Sequence, residues 1–324
     1  MNATTSRRAL LGGGIGTLLL GGFSIGRTQN PYQRDHELPV VTCTVGMITD
    51  VARNIGGTFF SISGLMGPGI DPHLYKPSAG DIVRLGDADL VLYGGLHLEG
   101  RMTETLETIQ RSGTVHTRAV SESIPEDRLI AVSETAHDPH VWFDVSLWNI
   151  VAGAVTEELI ALLPEQAETI TSRSETYRAR LEELDAWVVD EISRVPENIR
   201  VLVTAHDAFH YFGKRYGVEV MGLQGLSTAT EAGAGDVQSL ADLLAERRIP
   251  AIFVESSIPP ATIEAVQAAT RSRGWDVKIG GSLYSDAMGE AGTPEGTYIG
   301  MVRHNVSTIV DALLGESQTT QGTE

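Results

Sequence analysis

The chain has 324 residues, 42% of them hydrophobic and 20% charged, the make-up of an ordinary globular protein with room for about two domains. A formal charge of −18 argues against nucleic acid as a partner, since that requires a basic surface. The single cysteine, Cys43, excludes an intramolecular disulfide and any site built from several thiolates.

Residues 1–26 read as an export signal. Arg7 and Arg8 open it, no acidic residue appears before Asp35, and residues 9–26 are apolar. Glycines at 12, 13, 14, 16, 21 and 22 interrupt that stretch, which disfavours a membrane-spanning anchor, and Ser24-Ile25-Gly26 offers the small residues a signal peptidase reads. Ser6-Arg7-Arg8-Ala9-Leu10-Leu11 is similar to a twin-arginine signal, a route that carries folded proteins. No cysteine follows the apolar stretch closely, so a lipid anchor is not expected. Removing Arg7 and Arg8 with the signal would leave a formal charge of about −20. The expected product is a soluble periplasmic protein.

After a polar linker, residues 40–46 read as a strand, with Cys43 a small core residue inside it, and 47–55 as a helix. Residues 58–65 have the β-branched and aromatic content of a second strand. A helix begins at Ser78 with Ile82, Val83 and Leu85 as its apolar face, and 89–93 form a short buried strand before a helix over 102–109. Another helix spans 142–163. From Glu165 to Val195 there is neither proline nor glycine, and Ile170, Tyr177, Leu181, Leu184, Trp187, Val188 and Ile192 recur at helical spacing. About thirty residues at ~1.5 Å each make a rod of roughly 45 Å, enough to span two lobes. The alternation then restarts: strand 200–204, helix 208–216, strand 218–223, helix 237–247, strand 251–254, helix 260–273, strand 277–279, a loop-rich stretch 280–296, and a last helix 298–314. The fold class is therefore α/β, with two lobes of mostly parallel sheet flanked by helices and joined by one long helix. The expected boundaries are 39–164 for the first lobe, 165–195 for the helix, 197–315 for the second lobe and 316–324 for a disordered tail.

One tripeptide occurs twice, Asp71-Pro72-His73 and Asp138-Pro139-His140. Proline fixes its own φ and pushes the preceding aspartate toward extended backbone, so both histidines leave stiff loops, as a pre-formed metal site needs. His206, in Thr204-Ala205-His206-Asp207-Ala208, and Asp286, in Leu283-Tyr284-Ser285-Asp286, stand beyond other strands. Ligands in open α/β sheets collect at the carboxyl ends of strands. Two of the four residues fall in each half, which places a shared ion in the cleft between lobes. Three imidazoles and a carboxylate suit zinc well and manganese adequately, and four protein donors leave no open position for an activated water. His206 and His210 have the spacing of a two-histidine zinc face on one helix, but the glutamate of a metallopeptidase helix is missing between them. His137 is expected to face solvent, and His36, His97, His116 and His304 have no companions at ligand spacing. No phosphate-binding loop with its lysine and no Gly-x-Ser-x-Gly elbow appears.

Residues 40–315 resemble the zinc/manganese solute-binding proteins of bacterial ABC transporters, most closely the TroA-like members. The resemblance rests on Asp71-Pro72-His73-Leu74-Tyr75, Gly94-Gly95-Leu96-His97-Leu98-Glu99, His137-Asp138-Pro139-His140-Val141-Trp142-Phe143-Asp144, Val203-Thr204-Ala205-His206-Asp207-Ala208-Phe209, Phe253-Val254-Glu255-Ser256-Ser257 and Ser285-Asp286-Ala287-Met288-Gly289, in the family's order. It implies a non-enzymatic monomer that holds one Zn2+ or Mn2+ between its lobes on His73, His140, His206 and Asp286. It also implies delivery of that ion to an inner-membrane ABC permease and its ATPase, with small lobe movements because the linking helix is rigid. Manganese-tuned members often carry glutamate where this chain has His206, and zinc-dedicated members often carry a His-rich loop, whereas residues 121–135 hold no histidine. An all-imidazole trio should hold zinc more tightly than manganese. Affinity should fall as pH drops through about 6.5, where imidazoles protonate. The rival readings are a secreted zinc hydrolase on the same histidines, with Glu255 or Asp286 as base, and a metal-dependent adhesin.

Overall fold

The computed structural model describes residues 37–229 and 232–316. The expected export signal and the tail beyond Glu316 lie outside the described residues. The first half is a four-stranded sheet in the order β2-β1-β3-β4, built from β1 (Val40–Cys43), β2 (Ser61–Gly64), β3 (Leu90–Tyr93) and β4 (His116–Ala119). All three pairings are parallel, with Val41 opposite Leu90 and Leu90 opposite His116. The crossovers are α1 (Gly46–Gly56), α2 (Ala79–Asp87) and α3 (Thr103–Ser112). Parallel strands need such crossovers, and their helices cover the sheet so that Val41, Cys43 and Val91 are buried. β4 has no counterpart in the sequence expectation, because its His-Thr-Arg-Ala stretch is a short polar edge without an apolar run.

One expected face is turned around. In α2 Leu85 is fully buried, but Ile82 and Val83 are 43% and 60% exposed. Asp81, four residues before Leu85, points inward, where Oδ2 accepts the Tyr75 hydroxyl at 2.7 Å and both the amide and hydroxyl of Ser78 at 2.8 and 2.7 Å. This capping box and the Tyr75 bond set the rotation of a nine-residue helix, and the apolar pair is carried to the surface.

α4 (Val145–Leu162) is long and apolar enough to cross a membrane by composition, yet it lies in the core with Trp148, Val151, Val155 and Leu159 buried. The long helix is α5 (Ala167–Ser193), 27 residues or ~40 Å. Ile170, Tyr177, Leu181, Leu184, Val188 and Ile192 form its buried stripe, while Trp187 stays half-buried beneath the Arg303 guanidinium. It packs on α1 and α4 and on α6 (His210–Tyr216) and α9 (Tyr298–Leu314), elements of both halves.

The second half pairs β5 (Val201–His206) with β6 (Glu219–Gln224) and β7 (Ala251–Glu255) with β8 (Lys278–Leu283), again in parallel, and β5 lies beside β7. α7 (Ala234–Arg247) and α8 (Ala261–Ser272) complete the layer. β8 runs on through Gly280-Gly281, which the sequence reading placed in a loop. A Cβ on Gly280 would lie 2.5 Å from Ala312 Cβ and 2.8 Å from the Phe253 ring. These glycines therefore mark where the strand passes close under α9, and not a chain break. α6 begins only at His210, so His206 ends a strand and the two histidines do not share a helical face.

Candidate metal centre

Each proposed ligand is placed at or just beyond a strand end. His73 follows β2, His140 follows β4 by way of a long loop, His206 is the last residue of β5, and Asp286 lies three residues past Leu283, the end of β8. In both Asp-Pro-His copies the aspartate closes an Asx turn: Asp71 Oδ1 accepts the His73 amide at 2.8 Å, and Asp138 Oδ1 the His140 amide at 2.9 Å. The second-half loop is pinned twice. Asn305 of α9 bonds both the amide and the carbonyl of Tyr284, at 2.9 and 2.7 Å, and the Trp142 indole donates to the Ser285 carbonyl at 3.0 Å. Trp142 also lies edge-on to the His140 ring, 5.2 Å between centroids, and its own carbonyl accepts the Tyr298 hydroxyl at 2.7 Å.

These elements bring the four side chains together, all buried, with one donor atom from each inside a 4.8 Å sphere of mutual distances. His73 Nε2 is 3.3 Å from His140 Nε2. The Asp286 carboxylate stands 3.5 Å from His73 Nε2, 3.4 Å from His140 Nε2 and 3.3 Å from His206 Nε2. Oδ2 of Asp286 faces His73 and His206 and Oδ1 faces His140, so the carboxylate addresses all three imidazoles, and one donor atom from each residue lies close enough to the others to share a single small divalent ion. Neither Asp286 oxygen has a hydrogen-bond donor in bonding geometry. A buried carboxylate needs positive charge beside it, supplied here by the charged imidazoles of His140 and His206 or by an ion that displaces their protons.

Two of the three imidazoles are braced from behind. His140 Nδ1 lies 2.7 Å from Asp138 Oδ1, and His206 Nδ1 lies 2.6 Å from Glu255 Oε2, while Glu255 Oε1 accepts the His206 amide at 2.9 Å. A carboxylate at Nδ1 keeps the proton there and turns the Nε2 lone pair toward the ion. Sequence reading treated Asp138 only as a stiffener of its motif and Glu255 as a possible catalytic base. In the fold both Glu255 oxygens are occupied by His206, its amide and its Nδ1, so Glu255 braces a proposed ligand and is not placed as a base. A glutamate closing a buried strand, beside a histidine closing the neighbouring one, is the signal that was there to be read.

The charges respond to one another. Burial alone would lower the His140 imidazole, yet Asp138 and then Asp286 raise it to about 9. For His206 burial is again outweighed, by Asp286 and Glu255, and its pKa lies well above the ordinary value. Burial lowers His73, helped by the neighbouring imidazoles and opposed by Asp286. Burial works to raise Asp286, but His206 and His140 hold it well below the carboxylate range. Asp138, despite burial, is held at about 2 by His140 and His210.

The remaining histidines stay outside the cage. His210 Nδ1 lies 3.3 Å from Asp138 Oδ2, His116 is bonded to Glu158, His304 reaches the Ser282 carbonyl, and His97 is exposed. His137 is half-buried, next to a short bridge with Ala131, and so faces solvent less than expected. His36 lies outside the described residues.

Residues 41–312 match the family model for zinc-uptake complex component A, periplasmic. The chain is 53% identical over 275 residues to the zinc-binding protein TroA of Treponema pallidum, covering 85% of this chain and 89% of that protein. It is 50% identical over 274 residues to the manganese-binding lipoprotein MntA of Bacillus subtilis, covering 84% and 89%. The solved structure of periplasmic zinc-binding TroA from Treponema pallidum superposes with a TM-score of 0.84 at 52% identity, over 85% of this chain and 99% of the other. The chain belongs to the zinc-uptake complex component A family of ABC-transporter solute-binding proteins.

Proposed function

We propose that this protein captures one divalent transition metal on His73, His140, His206 and Asp286 and delivers it to an ABC permease driven by its ATPase. As a member of this family the chain is a metal receptor and not an enzyme. The observation that carries the reading is the buried cluster itself: three imidazoles around one carboxylate, with carboxylate–Nε2 separations of 3.3–3.5 Å and one donor atom from each residue within 4.8 Å of the others. The lobes are residues 39–164 and 197–315, linked by 165–195. Relatives at nearly equal identity carry zinc in one name and manganese in the other. The donor set supports zinc, because three imidazoles and one carboxylate are nitrogen-rich ligands that suit zinc better than an ion that prefers oxygen-rich octahedra.

We infer that the mature protein is a soluble monomer outside the cytoplasm, exported by the general secretory or the twin-arginine route. Cys43 is buried within β1 and unavailable for a lipid anchor. Metal analysis of protein purified from its native compartment is expected to find one zinc per chain. Replacing all four ligands by alanine should abolish it, and stoichiometric metal in that variant would refute the assignment.

A further inference from the structure

The two Asp-Pro-His copies begin alike and then diverge. Both make the same Asx turn, but Asp138 goes on to brace its own histidine ring through Oδ1, 2.7 Å from Nδ1. Asp71 turns its second oxygen elsewhere. Its Oδ2 accepts the hydroxyl of Thr228 at 2.5 Å, from a residue 157 positions away in the loop between β6 and α7. That bond crosses from the half carrying His73 to the half carrying His206. The loop that presents His73 also runs past the second half at Gly69, φ 68°, where a Cβ would stand at an ordinary contact distance, 3.6 Å, from the Ser256 carbonyl oxygen. The Asp71–Thr228 bond therefore ties the backbone that presents His73 to the opposite side of the cleft.

We propose that Thr228 is a positioning residue for His73, and that its bond to Asp71 governs how fast the ion leaves. The inference rests on the metal-receptor reading above. A hydrogen bond to a carboxylate fixes both the Asx turn and the loop's distance from the second half. Without it the loop can draw His73 away from the other three ligands, and the ion escapes through that loosened side. Entry is governed mainly by diffusion and stripping of hydration water, so association should be nearly unaffected.

The test is stopped-flow release of zinc from the loaded protein into excess chelator. Thr228→Val keeps the side-chain shape and removes the hydroxyl, whereas Thr228→Ser keeps the hydroxyl. Release from the valine variant is expected to be about tenfold faster than from the parent, from the loss of one hydrogen bond to a charged group, with association unchanged. The serine variant should release at close to the parental rate. Release within about twofold of the parent in Thr228→Val, or equally fast release in Thr228→Ser, would overturn the proposal. Adding Thr228→Val to Asp71→Ala keeps the test decisive if a single change weakens the fold. With the acceptor gone the second change should no longer speed release, and further acceleration would count against a direct bond. A parent that takes up no stoichiometric zinc would instead sink the receptor reading itself.

Discussion

Replacing Glu255 by glutamine should damage metal binding far more than replacing Asp138 by asparagine, although each change only turns a carboxylate behind a histidine into an amide. Glu255 uses both oxygens on His206: Oε1 takes the backbone amide at 2.9 Å and Oε2 faces Nδ1 at 2.6 Å. Glutamine has one acceptor oxygen. The backbone N–H is fixed in β5 and claims it, so the amide NH2 is left facing Nδ1. The imidazole then favours a bare Nδ1 and a proton on Nε2, the atom that has to bind the ion. Binding must reverse that tautomer and leave two buried donors facing each other, at about 1.5–3 kcal/mol, or about a 10- to 100-fold loss of zinc affinity. Asp138 instead serves His140 with a single oxygen, Oδ1, which takes both the amide at 2.9 Å and Nδ1 at 2.7 Å. An asparagine oxygen can occupy that place. Its NH2 would meet His210, a half-buried ring at 3.3 Å that can offer its own lone pair. The loss expected there lies at or below the low end of the usual range, about 10-fold. Competition titration against a fluorescent chelator measures both affinities, and nitrogen chemical shifts of the imidazoles in ion-free protein report the tautomer of His206. Equal losses in the two variants, or a larger one in Asp138→Asn, would refute the reasoning.

Protons on the ligands give a second test. His140 is raised to about 9 from an ordinary 6.5, so its charge pairing stabilises the ion-free fold fully below about 6.5 and is lost as pH climbs through about 9. Zinc must displace that proton and the one on His206, so affinity should weaken from about pH 9 downward and not only through 6.5. Calorimetry at pH 7 in buffers of different ionisation enthalpy should register proton release on binding, and its absence would contradict the pairing. His206→Glu, the change that imitates manganese-tuned relatives, would set two carboxylates against each other beside Glu255. At ~4 Å and an effective dielectric of ~20 that repulsion is about 4 kcal/mol, so the single variant should lose zinc and gain manganese preference only with Glu255→Gln added. Competition between the two ions in both variants decides it, and an unchanged zinc preference in the double variant would exclude the idea. Gly280→Ala would drive a methyl into Ala312 and Phe253, and chemical denaturation should show a loss of about 1–3 kcal/mol.

The residues of the His73, His140, His206 and Asp286 cluster were legible because their chemistry leaves a local mark. A proline fixes each of two histidine loops, and His206 and Asp286 sit where strand patterns stop. Helix α9 was read to the residue, since Thr297 caps it and Gly315 ends it in the left-handed conformation. What escaped depends on partners distant in sequence. Nothing local to Ile82 and Val83 says that Asp81 will be drawn inward by Tyr75. The strand character of Gly280-Gly281 appears only when α9 lies over it. Glu255 looks like any strand-end acid until β5 and β7 lie side by side, and Thr228 is an unremarkable loop residue until Asp71 faces it. Single-residue chemistry was visible, and pairings across the fold were not.

α5 acts as a splint. Because it lies along α1 and α4 on one side and α6 and α9 on the other, bending the molecule would mean breaking a stripe of packed side chains ~40 Å long. A carrier built this way is expected to change its outline little when it is loaded. Whatever membrane partner inspects it has to sense a few loops around the ion, among them the exposed turn at residues 67–70 that leads into His73.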